Sequence, residues 1–343
     1  MSSIKVVAER EYLVYLDANW RKSVEAIAES HNKTLLMVPT ELVDLFQMQA
    51  LAKANLRIVE IPKGESAKSP EFILKMWDVC GEFGLTRSDC IIGIGGGSAT
   101  DLAGFVAASW LRGISWHAIP TSLAGMVDAA IGGKTGINSS HGKNLIGAFH
   151  SPTSVVIDKS FLNSLSERDF NAGMAEVIKC GFISDQKILE LALDAKANIA
   201  ELISRSIAVK AQVVSADFKE GRLREILNYG HTLGHAIEKI EEYKLRHGEA
   251  VAIGLVFAAE LSNIAGGLNA AAVVLHRELL EKFDLPTSYR PEALPKLLEL
   301  MAGDKKSRGT IVRFIGLEEI AKPIWLESVT SDQIAQAYGR ISG

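Results

Sequence analysis

The stretch Cys90-Ile-Ile-Gly-Ile-Gly-Gly-Gly-Ser-Ala-Thr-Asp101 decides the fold class. A short apolar run of strand length passes directly into three glycines, and a helical pattern follows them. Successive glycines let the backbone turn tightly and leave no Cβ between the chain and a ligand. We expect the helix to begin at Ser98, with Asp101 completing a capping box. Free N–H groups at such a helix start suit a pyrophosphate.

Two interpretations of this glycine turn stay open. The spacing of Gly93, Gly95, Gly96 and Gly97 differs from the usual dinucleotide fingerprint, and no acidic residue is suitably placed about twenty residues later. Glycine turns also occur where a helix packs tightly on a sheet. The turn by itself therefore predicts either nucleotide binding or close packing.

Strands and helices alternate in the first part of the chain. Residues 34–38 and 56–61 are further apolar runs of strand length, each followed by a proline, and 70–83 carries helical spacing. Such alternation predicts a parallel sheet covered by helices, which we assign to residues 1–157. From 158 to 343 the pattern is mainly helical. Helices are predicted at 161–165, 174–182, 188–214, 228–240, 249–265, 297–302 and 331–341, and a strand at 310–315.

Composition excludes several classes of protein. The 343 residues are 48% hydrophobic and 23% charged with a net charge of −4, and the basic residues are dispersed, which argues against nucleic acid and anionic membranes as partners. The three cysteines show no disulfide or C-x-x-C pattern, which favours a reducing compartment. The amino terminus lacks a signal-peptide core, and the apolar run 250–259 is too short to span a bilayer. We predict a cytoplasmic protein.

A second glycine-rich stretch, 128–147, interleaves glycines with charged side chains. It fails the phosphate-loop pattern because Asp128 stands where the first glycine is required. A solvated surface loop is the alternative, but Met126, Ile131, Ile137, Leu145 and Ile146 are too apolar for a solvated tip. We therefore expect the segment to line a cleft. Its polar candidates for contacting a ligand are Asp128, Lys134, Lys143 and Asn144.

Glutamate and histidine residues suggest a metal site. Glu176 and Lys179 lie three apart on one helical face, and His231 and His235 lie four apart on another. With His247 nearby, enough ligands exist for a zinc site with three protein ligands and an open position. Spacing does not decide between His231 and His235. The other five histidines are interpreted as structural, and Arg224, shortly before His231, is a candidate for holding a phosphate or carboxylate.

Several of these motifs, taken in order, resemble the 3-dehydroquinate synthase family. The similar stretches are 95–101, 120–149, 173–179, 228–235 and 246–249, and the likeness extends from about residue 60 to 306. The resemblance implies a Rossmann-like dinucleotide-binding α/β domain, an α-helical metal- and substrate-binding domain, a cleft between them and a homodimer. It also implies NAD and Zn²⁺ (or Co²⁺) as cofactors.

The resemblance further implies roles for individual residues. The zinc ligands would be Glu176, His231 and His247, with His235 contacting substrate instead. The substrate-site positions would be Asp128, Lys134, Lys143, Asn144, Lys179, Lys210, Arg224, Asn228, His235 and one of Lys305 or Lys306, with Arg112 reaching the site of the partner subunit. The NAD-binding positions would be Gly64, Glu65, Lys68, Gly97, Ser98, Ala99, Thr100, Asp101, Thr121, Ser122, Lys134 and Lys143. The sequence Pro39-Thr40-Glu41 replaces the usual aspartate at the adenine ribose, so that anchor stays open, and Ser122 replaces a common threonine.

The activity implied is conversion of 3-deoxy-D-arabino-heptulosonate 7-phosphate to 3-dehydroquinate and phosphate, a step of the shikimate pathway to aromatic amino acids. Transient oxidation by NAD, phosphate elimination, re-reduction and an intramolecular aldol step would leave no net redox change. A sibling sugar-phosphate cyclase making a deoxyinosose or valiolone-type ring is one alternative. A metal-dependent polyol dehydrogenase and a non-catalytic metal-binding relative are the others.

Overall fold

A computed structural model describes residues 2–304 and 313–343. The chain forms two compact units. The first comprises Met1–Leu165 and Lys210–Lys219, and the second comprises Ser166–Val209 and Glu220–Gly343. The division between functional domains at residues 157 and 158 stays a prediction.

The first unit contains a seven-stranded sheet and a separate hairpin. The strands of the sheet are β1 (Ser3–Val7), β2 (Glu11–Tyr15), β3 (Thr34–Pro39), β4 (Leu56–Ile61), β5 (Cys90–Gly95), β6 (Ser115–Pro120) and β9 (Ser154–Val156). Their spatial order is β1-β2-β9-β6-β5-β3-β4. β1 pairs with β2 in antiparallel fashion, whereas the other neighbours are parallel. The hairpin consists of β7 (Lys134–Ser139) and β8 (Gly142–Phe149).

Helices of the first unit follow its strands. They are α1 (Trp20–Glu29), α2 (Thr40–Leu45), α3 (Pro70–Phe83) and α4 (Gly97–Ser109). The α3 helix has the predicted bounds because local signals fix both ends. The Ser69 side chain accepts a hydrogen bond from the Phe72 amide at the start, and Gly84 ends the helix in a left-handed conformation.

The second unit is mainly helical. Its helices are α5 (Glu167–Ile183), α6 (Lys187–Leu191), α7 (Ala195–Ala216), α8 (His231–Ile240), α9 (His247–Ala265), α10 (Ala270–Glu281), α11 (Leu294–Asp304) and α12 (Ser331–Ile341), and α7 also supplies residues to the first unit. A hairpin of β10 (Phe314–Glu319) and β11 (Lys322–Leu326) completes it. The α9 helix is long and apolar enough by composition to cross a membrane, but 83% of that segment is buried inside the protein, as in the core helix of a globular domain.

This architecture confirms the predicted fold class, a parallel α/β unit with a helical unit after it. The strand expected at 310–315 begins later, at Phe314, and residues 305–312 lie outside the described residues. The expected capping box at Ser98 and Asp101 is wrong. The α4 helix starts at Gly97, so its N-cap is Gly96, which has no side chain to cap the helix. The Asp101 carboxylate accepts a hydrogen bond from the buried Lys68 ammonium at 2.7 Å.

The burial expected for the segment 128–147 is partly wrong. Met126, Ile131 and Ile137 are buried, but the Leu145 and Ile146 residues on β8 are 60% and 43% exposed. The segment is a two-stranded hairpin rather than a loop, and successive residues of a strand point to opposite faces. Apolar composition alone did not reveal which side chains of this hairpin are covered.

The glycines between β5 and α4 serve different purposes. A Cβ at Gly93 would lie 2.6 Å from the Ala103 Cβ, and one at Gly95 would lie 2.5 Å from the Ala99 Cβ, so both glycines allow the helix to pack tightly on the strand. Gly95 also has a φ of +149°, which disfavours other residues. At Gly96, by contrast, the nearest atom to an added Cβ is the Ser122 Oγ at 3.5 Å. Close packing therefore explains Gly93 and Gly95 but not Gly96.

These adjacent glycines give a matched pair for mutation. We expect Gly95→Ala to lower the free energy of unfolding by about 1–3 kcal/mol, because the new methyl group overpacks the β5–α4 contact. Gly96→Ala should cost less than about 1 kcal/mol, since its φ of −68° suits alanine and space is available. Urea denaturation followed by circular dichroism measures both. Equal losses for the two variants would contradict the assignment.

Candidate functional site

Three helices of the second unit bring together a glutamate and two histidines. Glu176 lies on α5, while His231 and His247 are the first residues of α8 and α9. The Glu176 Oε1 lies 3.3 Å from the His231 Nε2 and 3.1 Å from the His247 Nε2. One ligand atom from each residue lies within 4.8 Å of the others. The structure therefore gathers the three residues named from the resemblance as zinc ligands.

Small residues make this convergence possible. A Cβ at Gly248, next to His247, would collide with the Ala172 backbone of α5, and a Cβ at Gly254 would collide with the backbone of Gly230, just before His231. Gly230 itself has a φ of +80° and precedes α8 as its N-cap. The α9 helix consequently approaches both α5 and the start of α8 more closely than larger residues would permit.

The hydrogen bonds of the two imidazole rings indicate a cation rather than a plain polar cluster. The His231 Nδ1 donates to the Tyr229 carbonyl at 3.1 Å, and the His247 Nδ1 donates to the Glu238 carboxylate at 3.2 Å. In neutral rings this leaves a lone pair on each Nε2, and both point at the Glu176 carboxylate. Three acceptors facing one another repel unless a positive charge lies between them. Two imidazoles and one carboxylate are a typical catalytic zinc donor set, so these residues fit a divalent metal.

The electrostatics of Glu176 agree with a site for positive charge. Its side chain is 1% exposed. Burial raises the pKa of this carboxyl, but the nearby Lys179 ammonium and His231 outweigh burial and hold the pKa well below its usual range. Burial likewise lowers the pKa of His247, yet hydrogen bonds to Glu176 and Glu238 raise it to about 10. In the absence of a metal ion, a proton on His247 would supply the positive charge beside the Glu176 carboxylate.

Glu238 is a functional candidate that the sequence reasoning missed. It lies one turn after His235 and two turns after His231 on α8, so it shares their face of the helix. It orients His247 through the hydrogen bond to Nδ1, and carboxylates commonly play this part behind metal-bound histidines. His235 forms a second grouping with Glu238 and His247, rather than with Glu176. The helical spacing from His231 was the available signal.

Two cations of the helical unit are buried. Lys179 pairs with the Glu176 carboxylate, and Arg224 is buried in the short 3₁₀ helix Leu223–Asn228. Asn228 donates a hydrogen bond to the Glu220 carboxylate at 3.2 Å. Ammonium and guanidinium groups bind carboxylates and phosphates, so Lys179 and Arg224 are both candidates for contacting an anionic ligand.

In the α/β unit, Lys68 contacts one residue predicted to bind the cofactor and one predicted to bind the substrate. This buried ammonium contacts Asp101 on α4 and the side-chain oxygen of Asn144 on β8. Burial raises the pKa of Asp101, and Lys68 opposes that shift. Glu65 accepts a hydrogen bond from Asn138 of β7 at 2.7 Å. The hairpin and the Gly64–Lys68 turn are thus held beside the start of α4.

A second ion pair in this unit joins two predicted substrate residues. The Lys210 ammonium donates to the Asp128 carboxylate and, at 2.6 Å, to its backbone carbonyl. Asp128 lies in a π-helical turn, Gly125–Ala129, a distortion frequent at functional sites. Thr121 and Ser122 follow β6, and the Thr121 amide donates to the Gly95 carbonyl, so the ends of β5 and β6 are adjacent. These residues therefore border the glycine turn.

The remaining predicted residues are on the hairpin, in the turn after α4 and beyond α11. Lys134 is the first residue of β7 and is exposed. Lys143 is the second residue of β8. Arg112 is exposed in a turn where it and Leu111 both have positive φ values, 66° and 51°. Lys305 and Lys306 lie outside the described residues.

A buried polar chain supports His231 from behind. The Tyr229 hydroxyl and the His276 Nε2 are 2.9 Å apart, and the His276 Nδ1 is 2.7 Å from the Ala272 carbonyl, to which it donates. The His276 ring stacks on Phe182 with 3.4 Å between centroids. Burial lowers the pKa of His276 to about 3. Tyr229, whose carbonyl fixes the ring of His231, is therefore anchored at its other end by a neutral histidine.

Comparison with known proteins agrees with this arrangement. Residues 58–172 match the profile of the 3-dehydroquinate synthase N-terminal region, and residues 173–307 match that of the C-terminal region. A 3-dehydroquinate synthase of Streptomyces avermitilis is 54% identical over 82% of this chain and 80% of its own length. One of Corynebacterium diphtheriae is 46% identical over 100% and 99%.

A solved 2-epi-5-epi-valiolone synthase of Streptomyces hygroscopicus, with NAD⁺ and Zn²⁺ bound, has a TM-score of 0.87 at 25% identity and covers 99% of this chain and 98% of its own. The fold is that of the sugar-phosphate cyclases. Within that class, the profile matches and the extent of the sequence identity show that this chain belongs to the 3-dehydroquinate synthase family.

The Tyr229–His276 pair gives a stability prediction. His276→Phe keeps a ring against Phe182 but leaves the buried Tyr229 hydroxyl unsatisfied, which should cost about 1–3 kcal/mol of unfolding free energy at neutral pH. Since the pKa of His276 is about 3 in the folded protein, against 6.5 for an unperturbed histidine side chain, the unfolded chain binds the extra proton. Stability from this group is complete above about pH 6.5 and is lost as the pH falls towards 3, with a slope of up to about 1.4 kcal/mol per pH unit.

Urea denaturation at several pH values checks this. His276→Phe should show a shallower acid loss than the unsubstituted protein. The double variant with Tyr229→Phe should recover stability relative to the sum of the single variants, because no lone polar group then remains. Additive losses, or an unchanged pH slope, would contradict the account.

Proposed function

We propose that this chain is a 3-dehydroquinate synthase, a carbon–oxygen lyase that converts 3-deoxy-D-arabino-heptulosonate 7-phosphate to 3-dehydroquinate and phosphate. Relatives 46% and 54% identical, which cover most or all of the chain, carry this activity in their names and support the proposal most strongly. The related 2-epi-5-epi-valiolone synthase is only 25% identical, which favours this reaction over that of a sibling cyclase.

In the proposed enzyme, Glu176, His231 and His247 hold Zn²⁺ or Co²⁺. When bound, the ion would polarise a hydroxyl group of the substrate as a Lewis acid. Glu176 supplies a negative charge that is kept ionised despite burial, and the two rings supply neutral nitrogens already turned by Tyr229 and Glu238. The grouping of Glu176 with His231 and His247, in which His235 does not take part, supports this ligand set over one that includes His235.

The α/β unit is proposed to hold NAD, which would supply a hydride acceptor that is regenerated in each turnover. The uncapped start of α4 and the space beside Gly96 suit a pyrophosphate, whose charge a helix N-terminus favours. The proposed contacts remain those given by the resemblance: Gly64, Glu65, Lys68, Gly97, Ser98, Ala99, Thr100, Asp101, Thr121, Ser122, Lys134 and Lys143.

The substrate carries a carboxylate and a phosphate, and the chain offers cations for both. We assign Lys179 and Arg224 of the helical unit to this task because both are buried and because ammonium and guanidinium groups bind carboxylate and phosphate. Asp128 positions Lys210 through their ion pair. The remaining proposed substrate contacts are Lys134, Lys143, Asn144, Asn228, His235 and one of Lys305 or Lys306. We also propose a homodimer in which the exposed Arg112 reaches the site of the partner subunit.

The deciding assay incubates the purified protein with Zn²⁺, NAD and the heptulosonate phosphate. We expect phosphate and 3-dehydroquinate in equal amounts, detected by mass, with no accumulation of NADH. Glucose 6-phosphate and sedoheptulose 7-phosphate should yield no phosphate. Glu176→Gln should lose metal and reduce turnover by more than about 100-fold.

A buried glutamate of the same unit is the matched control. Glu260 pairs with Arg277 and Arg340 rather than with histidines, so Glu260→Gln should keep metal and turnover. Release of phosphate from glucose 6-phosphate instead would identify a sibling cyclase. Steady build-up of NADH with a polyol would identify a dehydrogenase, and either result would reject the proposal.

Glu238 allows a finer test of the metal centre. Glu238→Gln retains the shape of the side chain but weakens the hydrogen bond that orients His247, so the affinity for Zn²⁺ should fall by about 10- to 100-fold. Competition with a chromogenic chelator measures the dissociation constant. An affinity equal to that of the unsubstituted protein would show that Glu238 does not support a metal ligand.

A further inference from the structure

Three more side chains with metal-ligand chemistry meet in the α/β unit, and none of them belongs to the groups assigned to metal, cofactor or substrate above. Cys90 is the first residue of β5, His117 is the third residue of β6, and His31 lies between α1 and β3. One ligand atom from each lies within 4.8 Å of the others. Cys90 pairs with Ser115 across the parallel strands, so Cys90 and His117 project from the same face of the sheet.

His117 carries an unsatisfied buried nitrogen. The residue is 5% exposed, and its Nδ1 lies 2.8 Å from the Ser154 hydroxyl. Its Nε2 has no hydrogen-bond partner among the residues that the structure describes. Burial lowers the pKa of His117 to about 3, so the ring is neutral. Buried polar atoms rarely stay without a partner, so this nitrogen marks a position suited to a ligand.

His31 and Cys90 each have one polar contact within the protein. The His31 Nδ1 contacts the Ile27 carbonyl at 2.9 Å, which places the ring proton there and the lone pair on Nε2. The Cys90 thiol is fully buried and lies 3.5 Å from the Thr34 hydroxyl. One nitrogen of each imidazole and the Cys90 sulfur lie within 4.8 Å of one another, so the three residues can share one acceptor of electron pairs.

We propose that His31, Cys90 and His117 bind one thiophilic cation, Cu⁺ or Zn²⁺, which joins β5 and β6 to the segment after α1. Sulfur and imidazole ligands select these soft or borderline ions over Mg²⁺ and Ca²⁺. A thiolate with two neutral rings leaves no net charge around Cu⁺ and one positive charge around Zn²⁺. Because burying an uncompensated charge is unfavourable, the site favours Cu⁺.

Binding is balanced by the release of one proton. Burial raises the pKa of Cys90 to about 11, so the metal-free residue is a thiol. On binding, the S–H bond breaks, the proton passes to the buffer and the sulfur–metal bond forms. No oxidant or reductant takes part in this step.

The location points to a structural role. Cys90 begins β5, whereas the glycine turn follows its other end, about 16 Å away at the usual rise of a strand. The cation would therefore lie at the amino-terminal ends of the strands, whereas α4 starts at their carboxyl-terminal ends. This site shares none of its residues with the zinc site proposed at Glu176, His231 and His247, so it is independent of the proposed function.

Metal content and cobalt spectroscopy test the proposal on the full chain. After equilibration with Zn²⁺ and removal of excess metal, the unsubstituted protein should hold two ions per chain, and Cys90→Ser and Glu176→Gln should each hold one. With Co²⁺, a thiolate-to-cobalt charge-transfer band should appear in the unsubstituted protein and in Glu176→Gln, but not in Cys90→Ser. The Glu176 group contains no sulfur, so the band reports on the new site alone.

Cys80→Ser is the matched control, because Cys80 is equally buried in the same unit but lies outside the group. It should keep both ions and the band. If Cys90→Ser does not fold, His31→Gln, at a partly exposed position, should weaken binding at this site by more than about 100-fold.

Parallel titrations with Cu⁺ under reducing conditions and with Zn²⁺ distinguish the two cations, and we expect the tighter binding for Cu⁺. Absence of the band in the unsubstituted protein, or a metal content unchanged by Cys90→Ser and His31→Gln, would overturn the proposal. If only Glu176→Gln lost metal, and Cys90→Ser and His31→Gln did not, the result would reject this site but support the metal centre of the proposed function.

Discussion

The helical unit depends on one constraint, which is the burial of the Glu176 carboxylate against two imidazole nitrogens. An ionised carboxylate away from water is costly unless positive charge compensates it. Lys179 provides part of that charge, and the orientation of His231 and His247 leaves a position for more. The glycines of α9 let three helices approach closely enough to create this position, so helix packing and metal-ligand geometry are two aspects of the same requirement.

The sequence predicted the elements whose ends have local signals. The α3 helix has a serine cap, an initial proline and a final glycine, and β4 ends before Pro62, so both had their bounds fixed by neighbouring residues. The β9 strand has three residues and no readable periodicity, and its place between β2 and β6 depends on long-range pairing. The capping box predicted at Ser98 and Asp101 is absent because the helix begins earlier, at Gly97, with Gly96 as its N-cap. The contact of the Asp101 carboxylate with Lys68, distant in sequence, was not predictable from local signals.

The candidate site was predictable in composition but not in arrangement. Helical spacing placed His231 and His235 on one face and could not rank them, since the choice depends on where α5 and α9 approach α8. Resemblance to a family supplied the ranking, which stays a prediction, and in the structure the Glu176 Oε1 lies 3.3 Å from the His231 Nε2. Glu238 escaped notice because its importance comes from contact with His247 on another helix.

The histidines show what distinguishes a structural ring from a candidate ligand in this fold. Residue type and burial do not, since His276 and His117 are both buried and neutral. The difference lies in the second ring nitrogen. In His276 both nitrogens have partners in Ala272 and Tyr229, so the ring is complete without a ligand. In His231 one nitrogen is fixed by a carbonyl and the other faces an ionised carboxylate, an arrangement that only a proton or a metal ion makes favourable. In each ring the nitrogen bonded to a nearby backbone carbonyl has a local partner, whereas the partner of the second nitrogen, Tyr229 for His276 and Glu176 for His231, comes from another element of the fold. The role of each histidine is therefore decided by a tertiary contact that its neighbours in sequence do not encode.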